Sequence, residues 1–206
     1  MAYHGYINFL HTVARQYETP IILEIGLHTG ITAISLLHRL SHSHKNYYYF
    51  GVDILVRDDL LNTICFMGLK NQKNVFLHEM NSFEFLKNNT NTYDIVLIDG
   101  DHNYYTVSNE LSYLNKISHE NTVVIVDDYY GKFATEDSYY SEYDHDNYQN
   151  NERATKNIIT EKNGVKTAVD EFINLNENWK TFKIMDGEPI VLFREQNTIL
   201  TFEENK

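Results

Sequence analysis

The chain has 206 residues, long enough for one domain with a full hydrophobic core. Its 17 Lys and Arg residues against 29 Asp and Glu residues give a net charge of −12, which argues against a nucleic-acid partner. The fractions of 42% hydrophobic and 22% charged residues exclude a wholly disordered chain. The single cysteine, Cys65, favours a reducing compartment, and no apolar run approaches the roughly 20 residues that span a bilayer. We therefore expect a cytoplasmic protein without a membrane partner.

Short apolar runs alternate with helical patterns over the first two thirds of the chain. The predicted strands cover residues 21–25, 47–53, 75–77, 93–99 and 122–127, with helices between them. Continuous apolar strands separated by helices are typical of a parallel sheet that is covered on both faces. The sequence therefore predicts an α/β fold with a doubly wound, Rossmann-like sheet. In such a sheet, ligands bind beyond the carboxyl ends of the strands.

The pattern changes after the fifth predicted strand. Residues 130–163 are rich in Tyr, Asp and Asn without a sustained period, and we predict that they form a lid insertion at the ligand edge. A helix beginning after Gly164 and two strands, at residues 179–185 and 189–194, complete a seven-stranded, mostly parallel sheet. Residues 1–17 are predicted to form a leading helix and residues 197–206 a frayed tail. We expect one domain over residues 1–206, and the leading helix is a candidate surface for a homo-oligomer.

The loop after the first predicted strand combines two glycines with an acidic residue in the strand itself. Gly26 and Gly30 allow tight turns and a close approach of a ligand to the free N–H groups of the next helix. A dinucleotide-binding fingerprint requires glycine where His28 stands, which argues against a pyrophosphate-bearing ligand. Glu24 suits a ligand with positive charge.

Polar residues also follow the second and third predicted strands. Asp53 can accept hydrogen bonds from both hydroxyls of a ribose, and its alternative role is that of a helix or turn cap. Asn81 and Ser82 are placed to contact an adenine, although a plain N-cap explains them equally well.

The fourth and fifth predicted strands end in acidic residues. Asp99 and Asp101 follow one strand, and Asp127 and Asp128 follow the other, which we expect to be its neighbour in the sheet. Four converging carboxylates repel one another unless a hard divalent cation such as Mg²⁺ binds them. The alternative is a solvated acidic rim balanced by Lys or Arg. His102 is a candidate base, metal ligand or simple packing residue.

These motifs together resemble those of class I S-adenosylmethionine-dependent methyltransferases. The motifs are the Glu24-x-Gly26-x-x-x-Gly30 turn, Asp53, Ile98-Asp99-Gly100-Asp101-His102 and Asp127-Asp128-Tyr129. The nearer likeness is to the branch of macrocin-type sugar O-methyltransferases and cephalosporin-hydroxylase-like proteins, and it extends over about residues 21–194.

The resemblance implies a role for each candidate residue. Gly26, His28 and Gly30 would lie near the methionine part of S-adenosylmethionine, Asp53 would hold the ribose, and Asn81 and Ser82 would border the adenine. Glu24 and Asp99 are also expected in the cofactor site. Asp99, Asp127 and Asp128 match the positions that bind Mg²⁺ in the macrocin-type enzymes. Asp101 matches their general base, with His102 as the alternative.

We therefore expect an S-adenosylmethionine-dependent, metal-assisted O-methyltransferase. Its acceptor would be a small hydroxylated molecule, sugar-like or glycosylated. Two alternatives remain at this point, namely a metal-dependent, hydroxylase-like enzyme on the same fold and a non-catalytic protein that binds S-adenosylmethionine.

Overall fold

The computed structural model describes residues 3–68, 74–142, 148–184 and 187–200. The strands within these residues are β1 (Ile21–Ile25), β2 (Tyr48–Asp53), β3 (Val75–Glu79), β4 (Tyr93–Ile98), β5 (Ser118–Val126), β6 (Trp179–Lys183) and β7 (Ile190–Arg194). The helices are α1 (Tyr3–Ala14), α2 (Ile31–Ser43), α3 (Asp58–Phe66), α4 (Ser82–Asn88), α5 (Tyr104–Ser112), α6 (Leu114–Ile117) and α7 (Val165–Leu175).

All seven strands belong to one sheet, in the order β3-β2-β1-β4-β5-β7-β6. The first five strands are parallel to their neighbours, whereas β7 pairs antiparallel with both β5 and β6. This confirms the predicted fold, a doubly wound α/β sheet with seven mostly parallel strands. None of the described helices combines the length and the apolarity needed to cross a membrane.

Alternate residues of the central strands face two separate cores, because successive side chains of a strand point to opposite faces of the sheet. Ile22 belongs to one core, where it lies with Leu10 of α1 and Leu36 of α2. Leu23 belongs to the other, with Leu111 of α5 and Val169 of α7. Burial on both faces explains why these strands are continuously apolar.

The largest differences from the predicted boundaries are at the start of β5 and in the helix before it. The strand β5 begins at Ser118, four residues before the predicted start, because polar residues can pair at a sheet end without making an apolar run. Ser118 pairs with Tyr93, and an irregularity in register follows. The helix predicted after the fourth strand is divided at Tyr113 into α5 and α6.

Both ends of the described chain pack on the domain. The predicted leading helix is present as α1, and its Leu10 is fully buried. The predicted frayed tail is wrong for residues 197–200, because Ile199 and Leu200 pack against the first core. The backbone N–H of Thr198 also donates to Asn121 Oδ1 at 2.9 Å. Some predicted features lie outside the described residues. They are residue 185 at the end of the sixth predicted strand, residue 186 of the predicted turn at 186–187, residues 1–2 of the leading helix and residues 201–206 of the tail.

The sheet brings the carboxyl ends of its central strands together. The strand ladder continues one residue beyond β1, β4 and β5, with Gly26 N donating to Val52 O at 2.9 Å. Likewise Asp99 N donates to Ile25 O at 2.9 Å, and Asp127 N donates to Ile98 O at 3.0 Å. The order of the strands reverses between β1 and β4, since β2 and β3 lie on one side of β1 and β4 and β5 lie on the other. The loops after β1 and β4 therefore open a crevice at this switch point.

Candidate functional site

The loop after β1 lies directly against the loop after β4. Gly26 has a φ of 90°, and a Cβ atom on it would lie 1.9 Å from the carbonyl oxygen of Asp99. No side chain fits in that space, so the two loops can approach this closely only with glycine at position 26. Gly30 is also required by packing, because a Cβ atom there would lie 2.3 Å from Leu60 Cδ1. Gly30 therefore borders α3 and is not part of the cleft lining.

Asp53 holds the loop after β1 from the neighbouring strand. Its Oδ2 accepts hydrogen bonds from Leu27 N at 2.7 Å and from His28 N at 3.0 Å, and its Oδ1 accepts from Leu55 N at 2.9 Å. His28 has a φ of 45°, which belongs to the left-handed region. The Asp53 carboxylate thus fixes an unusual loop conformation and still borders the cleft, where its remaining acceptor capacity can bind ligand hydroxyls.

Glu24 is buried beneath this loop and does not line the cleft. It is 2% exposed and its Oε2 accepts a hydrogen bond from Tyr49 Oη at 2.5 Å. Burial raises the pKa of Glu24 to about 8, and the Tyr49 hydrogen bond only partly opposes this. The structure therefore places the predicted cofactor contact Glu24 behind the loop that would hold the cofactor.

Asn81 and Ser82 follow β3 and both line the cleft. Asn81 is the N-cap of α4, with its Oδ1 accepting from Phe83 N at 2.8 Å. Its Nδ2 donates to the carbonyl oxygen of Arg153 at 2.8 Å, which ties the predicted lid to this helix. Ser82 Oγ donates to Glu110 Oε1 at 2.7 Å. Asn81 is therefore an N-cap, and it also lines the cleft in which the other prediction places the adenine.

One open cleft joins these residues, with about 530 Å³ of space that includes its solvent-filled mouth. The predicted site residues that line it are Gly26, His28, Asp53, Asn81, Ser82, Asp99 and Asp101. The sequence analysis missed several further lining residues, namely Ile54, Met80, Thr106, Glu110, Tyr140, Tyr148 and Thr155. Glu110 had a sequence signal, because it lies on the same side of α5 as the apolar residues Val107 and Leu111.

Beside the cleft, Asp99, His102 and Asp128 form a compact polar cluster. Each offers one ligand atom, and the three atoms all lie within 4.8 Å of one another. His102 Nδ1 lies 2.6 Å from Asp128 Oδ2. Two carboxylates and an imidazole are donors that divalent cations accept, so the donor set fits a metal site. It differs from the predicted triad, since His102 takes the place of Asp127.

The charges in this cluster depend on one another. Burial raises the pKa of Asp99, and the nearby carboxylates of Asp127 and Asp128 raise it further. Burial also acts to raise the pKa of Asp128, but the hydrogen bond and the charge of His102 together lower it. Asp127 Oδ1 accepts from the backbone N–H of Asp128 at 2.9 Å, and so supports the turn after β5. A cation would relieve the repulsion that raises the Asp99 pKa.

Asp101 lies between the cleft and the predicted lid. Its Oδ1 accepts from Tyr140 N at 2.8 Å, and Thr106 Oγ1 donates to its Oδ2 at 3.4 Å. Burial is the main cause that raises the pKa of Asp101, to about 6. A carboxylate with a pKa near neutrality that borders a binding cleft is suited to proton transfer.

The segment predicted to be a lid, residues 130–163, contributes Tyr140, Tyr148 and Thr155 to the lining of this cleft. It contains two short 3-10 turns, Lys132–Ala134 and Tyr140–Glu142, and its residues 143–147 lie outside the described ones. Ser138 pairs with His102 in an isolated bridge, and Asn151 Nδ2 donates to Ile54 O at 2.9 Å. Residues of this segment therefore contact both the polar cluster, at His102, and the loop after β2, at Ile54.

Comparison with known proteins places these features in a family. A family profile described as "Methyltransferase domain" matches residues 23–129, which is just over half of the chain. No curated protein matches the sequence.

Solved structures share the fold at low sequence identity. A methyltransferase of Podospora anserina bound to S-adenosylhomocysteine superposes with a TM-score of 0.65 at 15% identity, over 92% of this chain and 78% of its own. The O-methyltransferase TomG of Streptomyces achromogenes, in complex with S-adenosylmethionine, gives 0.61 at 16% identity, over 91% and 78%. An O-methyltransferase of Bacillus cereus gives 0.56 at 15% identity, over 91% and 78%.

Proposed function

The chain belongs to the methyltransferase domain family, and we propose that it transfers a methyl group from S-adenosylmethionine to a hydroxyl oxygen of a small, sugar-like or glycosylated acceptor, with the help of a divalent cation. One observation carries this proposal. One continuous cleft is lined by Asp53 and Ser82, whose polar groups suit a nucleoside, and by Asp101, which suits the role of a general base. The cluster that could hold a cation lies at the same edge of the sheet.

The strand order supports a definite orientation of the cofactor. Asn81 and Ser82 follow β3, Asp53 follows β2, and Gly26 follows β1, and these strands are consecutive in the sheet. Adenine, ribose and methionine would therefore lie in that order across the carboxyl edge. The loop after β4, with Asp99 and Asp101, would then border the methionine end. Structures similar in fold bind S-adenosylmethionine or S-adenosylhomocysteine, which supports this choice of cofactor.

The residues suited to hold the cation are Asp99, His102 and Asp128. When bound, S-adenosylmethionine supplies an electrophilic methyl group and the cation supplies positive charge beside the developing alkoxide. The Asp128 carboxylate orients the imidazole of His102 through the 2.6 Å contact to Nδ1. We assign Asp127 a supporting role, because its Oδ1 holds the backbone N–H of Asp128.

Asp101 is the proposed general base. Its side chain borders the cleft, whereas His102 is engaged with Asp128 and is not among the lining residues. Tyr140 N and Thr106 Oγ1 hold the Asp101 carboxylate in position, so it can accept the proton of the acceptor hydroxyl at a fixed place. Holding the acceptor oxygen in line with the methyl group lowers the barrier through positioning alone.

Two features favour a hydroxylated acceptor. An aliphatic hydroxyl has a high pKa, so a base combined with a cation is the chemistry that it needs. The rings of Tyr140 and Tyr148, with centroids 5.1 Å apart, form an aromatic wall that offers apolar faces to a sugar ring. Two of the structures similar in fold are O-methyltransferases, which agrees with transfer to oxygen.

The first test is calorimetric titration of the protein with S-adenosylhomocysteine, with and without Mg²⁺. Micromolar binding would support the cofactor assignment and justify screening hydroxylated acceptors for a mass gain of one CH₂. A product that gains an oxygen atom instead would favour the hydroxylase-like alternative. Absence of binding in both conditions would overturn the proposal.

Two variants separate the proposed cofactor site from the proposed cation site. Asp53→Ala should weaken S-adenosylhomocysteine binding more than tenfold while the Mg²⁺ dependence of activity persists. Asp128→Ala should shift the Mg²⁺ requirement and leave S-adenosylhomocysteine affinity within about threefold, because its carboxylate lies outside the cleft lining. Equal losses of both properties in both variants would contradict this division of roles.

A further inference from the structure

Glu110 is a buried carboxyl group in the cleft wall to which the proposed reaction gives no role. It lies on α5, is 1% exposed, and lines the same cleft as Asp53 and Ser82. Glutamate is rarely found fully buried without a partner for each oxygen, because desolvation of a carboxyl is costly. The contacts of its two oxygens therefore need an explanation.

The two oxygens of Glu110 have different surroundings. Oε1 accepts a hydrogen bond from Ser82 Oγ at 2.7 Å. Oε2 is buried and has no hydrogen-bond partner among the residues that the structure describes. Gly100 lies beside this carboxyl, since a Cβ atom added to it would be 3.8 Å from Oε1, at ordinary contact distance. A buried polar atom without a partner, in the wall of a cleft, indicates a group that a ligand completes.

The carboxyl of Glu110 is able to act as a donor as well as an acceptor. Burial raises its pKa to about 8, and the hydrogen bond from Ser82 only partly offsets this effect. The neutral acid presents an O–H group beside a carbonyl oxygen, and that oxygen still has a second lone pair. This adjacent donor and acceptor matches an adenine edge, where an exocyclic amino group lies beside a ring nitrogen, as side-chain amides match it in nucleic-acid complexes.

We propose that Glu110 selects the base of the bound cofactor: Oε2 donates to the ring nitrogen N7 of adenine, and Oε1 accepts from the 6-amino group. This inference rests on the proposed function, because it takes S-adenosylmethionine as the ligand. Ser82 supports the assignment, since it holds Oε1 and follows β3 at the adenine end of the cleft. Glu110 is thus a specificity-determining residue for the cofactor, supplied by the helix after β4.

The test compares two ligands by calorimetry, S-adenosylhomocysteine and S-inosylhomocysteine, in which an oxygen replaces the 6-amino group. The wild-type protein should bind the adenine compound at least about tenfold more tightly, because the oxygen faces the acceptor Oε1. Glu110→Gln should keep this preference, since its amide offers the same donor and acceptor. Glu110→Leu should reduce the preference to near unity.

A purely structural role for Glu110 gives a different result. Glu110→Leu would then weaken both ligands by the same factor, or leave the wild-type preference unchanged, and either outcome would overturn the inference. The wild-type comparison decides the matter even where Glu110→Leu does not fold, because equal binding of the two ligands by the wild-type protein also overturns it. Failure of the wild-type protein to bind either ligand would instead overturn the proposed function, and this inference with it.

Discussion

At the scale of single residues, two buried glutamates contribute to the dependence of stability on pH. Glu24 and Glu110 are both almost completely buried, and burial raises the pKa of each to about 8 from an ordinary value of 4.5. The folded state therefore binds more protons than the unfolded state between those pH values. Each group contributes stability that is fully present below pH 4.5 and is lost as pH rises towards 8, at about 1.4 kcal/mol per pH unit.

Replacement of Glu24 by Gln should remove its share of this pH dependence. The amide oxygen can still accept the Tyr49 hydrogen bond, and no charge develops when the pH rises. Urea unfolding at pH 5, 6.5 and 8 should show Glu24→Gln gaining stability relative to the wild type at each step. The exposed Glu84→Gln serves as the control and should follow the wild type. Parallel curves for the wild type and Glu24→Gln would contradict the prediction.

Gly26 shows why one loop position accepts no side chain. Gly26→Ala would place a methyl group 1.9 Å from the Asp99 carbonyl oxygen, so the loops after β1 and β4 must separate. We expect a loss of more than tenfold in S-adenosylhomocysteine affinity, together with lower stability in urea. Gly68→Ala is a matched control, because Gly68 also has a positive φ, of 72°, but has open space around it. That variant should cost only about 1 kcal/mol and keep its affinity.

At the scale of elements, the start of α4 connects the sheet to the lid. Asn81 caps the helix through Oδ1 and donates through Nδ2 to the carbonyl oxygen of Arg153. The Arg153 side chain adds an ion pair with Glu79, in which Nη1 and Oε1 are 3.1 Å apart. Glu79 at the end of β3 and Asn81 at the start of α4 therefore both hold Arg153, which is more than seventy positions away along the chain.

The two functions of Asn81 can be separated by substitution. Asn81→Asp keeps an oxygen for the cap but loses the donor to Arg153, whereas Asn81→Ala loses both. Asn81→Ala should lower the stability of the domain by about 1 kcal/mol, and Asn81→Asp should remain near the wild type. Both variants should be cleaved faster in residues 149–163 by a low dose of protease. Wild-type cleavage rates in Asn81→Asp would show that this contact does not hold the lid.

At the scale of the whole molecule, the reversal of strand order between β1 and β4 determines where we expect a ligand to bind. The loops after β1, β2 and β3 supply the proposed cofactor residues, and the loops after β4 and β5 supply the polar cluster of Asp99, His102 and Asp128. Two cores, one on each face of the sheet, hold these strand ends in place. A ligand in the cleft contacts loops from both halves of the sheet, so its binding should stabilise the domain as one unit.

Ligand binding should therefore raise the midpoint of thermal unfolding. S-adenosylhomocysteine at about 100 times its Kd adds about 2.7 kcal/mol, which for a chain of this size corresponds to about 5–10 °C. Asp53→Ala at the same ligand concentration should show little of this increase. Adenosine triphosphate at equal concentration is the control ligand and should have a smaller effect, because the loop after β1 lacks the glycine pattern of a pyrophosphate site. An equal increase with both ligands would contradict the proposed cofactor.

The sequence by itself determined the fold class, because its order of buried strands and helices follows from short-range patterns. It also identified Asp53, Asn81, Ser82 and Asp101 as site candidates, since polar residues that end buried strands meet at one sheet edge. It did not reveal the polar start of β5 at Ser118, where pairing depends on a neighbouring strand instead of an apolar run.

Only the tertiary structure decided which side chains share the cleft. It placed Glu24 behind the first loop, put His102 against Asp128, and brought Glu110 beside Ser82 from another helix. It also placed Tyr140, Tyr148 and Thr155 of the segment 130–163 in the lining of the cleft. Local patterns specify which face of an element is buried, but contacts between residues far apart in the chain depend on how the loops and helices pack in three dimensions.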